Sequence, residues 1–179
     1  DVRCFMKSAD RPQLTGFPEH FPGEVLEDLG DMPNYNGWIV DHFTPSLRGR
    51  AVEIGAGLGT ISELLRSRVD RLDLVEPSPD LACRLSEKFS TDPGVAVVDQ
   101  TLEAWMAEGR SGVYDGIVMV NVLEHIKDDA AAARGLYDAL KVGGALCIFV
   151  PALPFLFSKL DKIYGHYRRY TKPTLRNCI

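Results

Sequence analysis

Three glycines at alternate positions, Gly55, Gly57 and Gly59, directly follow the apolar run that ends in Val52-Glu53-Ile54. Glycine has no Cβ and accepts positive φ. A turn of this spacing can therefore lay its amides, and the N-terminus of the helix that follows, against a nucleoside-type ligand. A phosphate cradle is the rival reading. The dinucleotide fingerprint, however, spaces its last two glycines three apart, and here the interval is two. No Gly-Lys-Ser/Thr ending of a P-loop follows either. The penultimate residue of the run is an acid, Glu53, which would repel phosphates and suits a cationic sulfonium.

A second acid stands where a parallel sheet would use it. Leu72 to Val75 reads as the next strand and runs into Glu76-Pro77-Ser78-Pro79. Two carboxylate oxygens match the two vicinal hydroxyls of a ribose, and open α/β sheets hold ligands just past the carboxyl ends of their strands. Together the glycine turn and Glu76 point to S-adenosylmethionine.

With these motifs in place, the chain resembles the class I S-adenosylmethionine-dependent methyltransferases over roughly residues 33 to 176. The resemblance is carried by Glu53-Ile54-Gly55-Ala56-Gly57-Leu58-Gly59-Thr60, Val75-Glu76-Pro77-Ser78, Tyr114-Asp115-Gly116-Ile117-Val118 leading to Asn121-Val122-Leu123-Glu124-His125-Ile126, and Leu140-Lys141-Val142-Gly143-Gly144. It implies an α/β, three-layer Rossmann-like methyltransferase fold with a mostly parallel sheet. It further implies that Glu53, Gly55, Ala56, Gly57, Gly59 and Thr60 line the methionine and nucleoside parts of the cofactor. Glu76, with Pro77 and Ser78, would hold the ribose, Asp99, Gln100, Thr101 and Leu102 would bracket the adenine, and Asn121 would end the fourth strand beside the methyl group. Tyr35, ahead of the first strand, would reach the methionine carboxylate. Trp38 beside it is as well explained by core packing, since large aromatics at helical spacing are usually interior.

The elements that must position these residues alternate along the chain. Strands are expected at Ala51 to Ile54, Leu72 to Val75, Val95 to Val98, Gly116 to Val120 and Ala145 to Val150. Helices are expected at Thr60 to Arg68, Pro79 to Phe89, Leu102 to Ala107 and Asp129 to Leu140. Such alternation requires a parallel sheet with helices on both faces. Leu81, Leu85 and Phe89 give one helix a buried stripe, and Ala133, Leu136, Tyr137 and Leu140 give another. Tyr35, Trp38, Ile39 and Phe43 have helical spacing behind Asn34, a plausible N-cap. Residues 1–33 read as an irregular arm and 34–179 as the cofactor-binding domain. The family usually adds a helix and an antiparallel strand pair after the fifth strand. Here Thr171-Lys172-Pro173-Thr174 starts such a helix and the strands are missing, so an exposed sheet edge and a homodimer through it are expected.

Composition agrees with one domain. The chain has 179 residues, is 45% hydrophobic and carries a formal charge of −5, which speaks against nucleic acid as substrate. Cys4, Cys83, Cys147 and Cys178 show no C-x-x-C pairing, so neither a disulfide framework nor a zinc site is expected, and no metal is anticipated. With no apolar run of membrane-spanning length, a cytoplasmic setting is expected.

Acceptor chemistry falls on two histidines. Methyl transfer from a sulfonium mainly needs alignment, but an alcohol or phenol must also lose a proton. His125 follows the fourth strand. His166 lies in Asp161-Lys162-Ile163-Tyr164-Gly165-His166-Tyr167-Arg168-Arg169-Tyr170, on the segment that covers the acceptor pocket in the family. Arg168 and Arg169 could clamp an anionic group on the acceptor, with Tyr170 closing the site. The bland alternative is a basic turn with one arginine paired to Asp161. Pro151 to Phe157 is either an acceptor wall or a segment buried under further strands. The expected activity is methyl transfer to oxygen, nitrogen or carbon of a small-molecule acceptor. The alternatives are an idle methyltransferase-like binding module and a nicotinamide-dependent oxidoreductase.

Overall fold

The computed structural model describes residues 32–179, so the expected arm lies, but for its last two residues, outside the described residues. Pro33 already opens a helix, α1 (Pro33–Phe43), whose N-cap position is Met32 rather than Asn34. The fixed φ of proline suits a first helical turn, which explains the earlier start. A single turn of 3-10 helix, Thr44–Ser46, leads into β1 (Arg50–Ile54). There follow α2 (Thr60–Arg66), β2 (Arg71–Glu76), α3 (Pro79–Lys88), β3 (Val95–Asp99), α4 (Leu102–Ala107) and β4 (Tyr114–Val120). After a 3-10 turn at Leu123–His125 come α5 (Asp129–Ala139), β5 (Leu140–Phe149), a 3-10 turn at Pro154–Leu156, α6 (Lys159–Ile163) and α7 (Lys172–Cys178).

The five strands form one sheet in the order β3-β2-β1-β4-β5, every pair parallel. Period-two alternation splits its apolar residues between two cores. Val52, Ile54, Ile117, Met119, Leu146 and Ile148 face Trp105 of α4 and Leu136 of α5, whereas Ala51, Val118, Cys147 and Phe149 face Ile39 and Phe43 of α1 and Leu65 of α2. This is the expected three-layer arrangement. The chain reverses its winding between β1 and β4, and a crevice at such a switch point is where doubly wound sheets take ligands.

Local chemistry sets the helix starts. Thr101 accepts from the Ala104 amide at 3.2 Å ahead of α4, and Asp128 accepts from Ala131 at 3.0 Å ahead of α5. Thr171 and Thr174 form a reciprocal capping pair ahead of α7, as Thr171-Lys172-Pro173-Thr174 leads one to expect.

Two further expectations, the start of the fifth strand and the burial of Trp38, meet a different outcome. The fifth strand begins at Leu140, not Ala145, because Leu140 pairs with Tyr114 before a bulge shifts the register to the Gly116–Ala145 pair. Trp38 is 49% exposed rather than interior: its ring packs on His42 at 4.4 Å and edge-on to Phe149. Pro151 to Phe157 is not buried, with Phe155 80% exposed. Among the described residues no strand flanks β5 on its outer side.

A polar brace ties the bottom of the sheet. Asp73 on β2 accepts from the Tyr114 hydroxyl and from Arg50, each at 2.6 Å, and the Arg50 guanidinium lies over the Tyr114 ring. Burial, with the hydrogen bond to Asp73, pushes the Tyr114 phenol up to about 12, so it stays a donor. Removing the hydroxyl in Tyr114→Phe should lower stability by about 1–2 kcal/mol, because a buried carboxylate loses a donor. Urea denaturation should show a lower midpoint with an unchanged slope; an unchanged midpoint would mean Arg50 alone satisfies Asp73.

Candidate cofactor and acceptor site

The carboxyl ends of β1, β2 and β4 lie side by side, and the glycine turn crosses above them. Gly55, Gly57 and Gly59 all have positive φ, at 73°, 55° and 77°. The amides of Gly55 and Ala56 both donate to the Val75 carbonyl, which locks the start of the turn onto β2. A Cβ on Gly55 would come within 2.5 Å of Val122, so glycine is required there by space as well as by φ.

Glu76 joins the two halves of the crevice. One carboxylate oxygen accepts from the Gly57 amide at 2.8 Å and the other from the Ser78 amide at 3.0 Å. Each oxygen keeps acceptor capacity, since a carboxylate offers about four lone-pair sites. Asp99 is paired with Glu76 in register on β3, and burial together with that neighbouring charge raises the Glu76 pKa. Paired hydroxyls that donate to Glu76 would relieve that burial. The donor set thus fits the ribose of S-adenosylmethionine.

Glu53 departs from the simple picture of an anion awaiting a cation. It is wholly buried, takes the Ser62 hydroxyl at 2.6 Å, and burial pushes it up to about 8. Near neutrality its protonated form is favoured. Of the remaining cofactor candidates, Thr60 starts α2 and Pro77 and Ser78 lead into α3. Leu102 is buried in the core, Thr101 caps α4, and the Gln100 amide donates to Glu108. Their side chains have internal roles, which leaves Asp99 as the freest polar group on that rim. Asn121 directly follows β4 with φ 54°, a left-handed conformation rare for a residue with a side chain, and its backbone N–H donates to the Phe149 carbonyl. Tyr35 stands at the opposite rim, its ring edge-on to Phe149 at 5.8 Å. Burial and the nearby Glu124 charge raise its phenol.

On the acceptor side, one buried carboxylate organises the segment after β5. Asp161 receives Arg169 through both its oxygens at 2.7 and 3.0 Å, the Ser158 amide at 2.8 Å and the Ser158 hydroxyl at 3.0 Å. Its other partner is His166, whose Nδ1 lies 3.0 Å away. The bond from Arg169 first, then those from Ser158 and His166, hold its carboxyl well below the usual range. Arg168 pairs with Asp129 and donates to the Lys127 carbonyl, each at 2.6 Å. Tyr170 is buried and donates to Asp129 at 2.8 Å. The bland reading of this basic turn therefore accounts for Arg168 and Arg169, and the expected acceptor clamp is occupied internally. Asp129 and Glu124 carry roles that the sequence reading does not assign: Glu124 stands in the motif after β4 with no role of its own, and Asp129 is the first residue of α5.

His125 and His166 do meet. Their rings are 4.6 Å apart, edge to face. Burial, then the His166 charge, lowers His125 to about 4, which makes it a weak proton acceptor near neutrality.

The raised acids have a consequence for stability. Glu53 and Glu124 keep their protons in the fold up to about 8, whereas the unfolded chain releases them near 4.5. The folded state binds more protons within that window, so their contribution to stability falls as pH rises through it. Glu53→Gln cannot ionise. Its melting temperature should gain on that of the wild type between about pH 5 and pH 8; parallel melting curves across that range would remove the shift.

The comparisons agree with this geometry. A family model described as a methyltransferase domain matches residues 24–178. A ubiquinone biosynthesis O-methyltransferase from Xanthomonas axonopodis pv. citri is 26% identical over 138 residues, covering 69% of this chain and 57% of that enzyme. A probable polyketide synthase from Dictyostelium discoideum is 30% identical over 141 residues, covering 68% of this chain and 5% of the synthase. The chain thus spans little more than half the length of the first relative and a small part of the second. Among solved structures, phosphoethanolamine N-methyltransferase 2 of Haemonchus contortus, in complex with S-adenosylmethionine, superimposes with a TM-score of 0.68 at 21% identity, covering 81% of this chain and 35% of that one. A Rossmann-like sheet, a glycine turn clipped to Glu76 and a family match across most of its length make this chain a member of the class I S-adenosylmethionine-dependent methyltransferases.

Proposed function

We propose that the protein to which this domain belongs methylates a hydroxyl oxygen of a small-molecule acceptor. The observation that carries this reading is His166, backed by buried Asp161 at 3.0 Å and set against His125. Proton handling of this kind is needed for an alcohol or phenol, whereas a neutral amine can react first and lose its proton afterwards. A relative whose name specifies O-methylation supports the same choice.

Bound in the crevice, S-adenosylmethionine supplies a methyl group on a sulfonium, an electrophile whose departure leaves a neutral thioether. The chain's own contribution is placement and charge. Glu76 holds the ribose hydroxyls, the Gly55–Gly59 turn admits the nucleoside against bare backbone, and Asp99 closes the adenine side. Tyr35 and Asn121 flank the methionine end. The exposed apolar stretch Leu153 to Leu156 forms a wall for the acceptor, and the His125–His166 pair makes its hydroxyl proton easier to lose. The alternative of an idle module predicts cofactor binding without transfer. No helix of the described residues is long and apolar enough to cross a membrane.

Transfer of labelled methyl should separate these readings. Phenolic and alcoholic acceptors should be labelled and matched amines should not; labelling of amines alone would overturn the hydroxyl assignment, and cofactor binding with no transfer to any acceptor would favour the idle module. Glu76→Ala should weaken cofactor binding by about 1–3 kcal/mol, the loss expected when charge-assisted hydrogen bonds vanish. Calorimetric titration reads this directly, and an unchanged affinity removes Glu76 from the site. Gly57→Val should abolish binding, since a branched side chain at φ 55° both strains the turn and enters the crevice. Cofactor affinity retained by that variant would refute the close approach.

A further inference from the structure

Glu124, His125 and His166 converge although they lie on different segments: one ligand-type atom from each sits within 4.8 Å of the other two. Glu124 is fully buried, and neither of its oxygens receives a well-formed hydrogen bond among the described residues. A carboxylate in that position is costly unless a cation or donors compensate it. Its charged surroundings sharpen the demand. Asp161 acts on Glu124 as a second negative charge, while the Arg169 guanidinium is paired with Asp161.

Both imidazoles have a backing partner. Asp161 engages Nδ1 of His166, which leaves Nε2 as the nitrogen open to an ion, and the Gly165 backbone holds His125. A carboxylate or carbonyl behind each imidazole is how proteins fix the tautomer and orientation of metal-binding histidines. Two nitrogens and one carboxylate oxygen suit borderline divalent ions, whereas magnesium and calcium prefer all-oxygen sets.

We propose that Glu124, His125 and His166 bind a divalent transition metal ion of the zinc and cobalt class, leaving at least one coordination position open to the acceptor. Bond lengths of about 2.0–2.2 Å require the three side chains to draw closer around the ion, a rotamer-scale adjustment. The site departs from the expectation of no metal, which rested on the absence of paired cysteines. Its chemical role, though not the binding itself, rests on the hydroxyl-acceptor reading. With the ion bound, His166 serves as a ligand and no longer as the proton acceptor, and an acceptor hydroxyl at the open position loses its proton to a solvent base. The new O–C bond then forms as the methyl–sulfur bond breaks, with the bonding pair going to sulfur.

The test uses Co2+ and Zn2+ alone as probes. Protein stripped with a chelator and freed of it is titrated with Co2+, followed by visible absorption and calorimetry, and Zn2+ uptake is measured by elemental analysis. Stoichiometric uptake is expected. Glu124→Gln and His166→Gln should each weaken it by more than about tenfold, since even outer-shell partners are worth that much, while both variants keep wild-type affinity for S-adenosylmethionine and so report a folded domain. Two results overturn the proposal: no uptake by wild-type protein that still binds S-adenosylmethionine, or equal uptake by both variants, which marks the ion as held elsewhere. Failure of the wild type to bind S-adenosylmethionine would instead strike at the proposed function and leave the ion titration to be judged on its own.

Discussion

The clip between Glu76 and the amides of Gly57 and Ser78 is the contact on which the site depends. It couples the end of β2 to the turn after β1, and so sets the width of the crevice that the sheet topology opens between β1 and β4. Neither strand could do this alone. A turn with three positive-φ glycines has wide conformational freedom in the unfolded chain, and its fold needs partners that restrict it. Val75 restricts it from the main chain and Glu76 from the side chain. The same carboxylate that shapes the turn retains the lone pairs that a ribose would use.

Burial gives the acids of this domain different characters. Glu53 and Glu124, enclosed with little compensation, are pushed up to about 8, whereas Asp161, surrounded by donors, is held well below its usual range. The contrast is one of hydrogen bonding, because all three side chains are almost wholly buried. The acids thus divide the site: one anchors structure through its charge, and two hold their protons near neutrality.

Much of the fold was legible because its signals are local. Period-two runs such as Val52–Ile54 and Ile117–Met119, glycine spacing, and the Thr171–Thr174 cap each act over a few residues, and each is found where the pattern puts it. Apart from the start of α1, which Pro33 sets locally, the misplacements involve residues far along the chain. Leu140 joins the sheet because Tyr114 lies opposite, and Trp38 stays at the surface because Phe149 and His42 take its faces. In the acceptor region the histidines could be named from sequence but their company could not. Asp161 binds Ser158, His166 and Arg169, and Arg168 reaches back across 39 positions to Asp129, a separation at which spacing carries no information.

The bridge between Ala152 and Tyr170, reinforced by hydrogen bonds from Leu153 to Tyr170 and from Tyr170 to Pro151, pinches together the two ends of the segment that holds the acceptor wall. The enclosed residues are tied to the body a second time, because the Tyr167 amide donates to the Glu124 carbonyl, Arg168 reaches Asp129 and the His166 ring meets His125. The excursion is thus held at its base and again along its return path, and the Asp161 cluster travels with the end of the sheet as one unit.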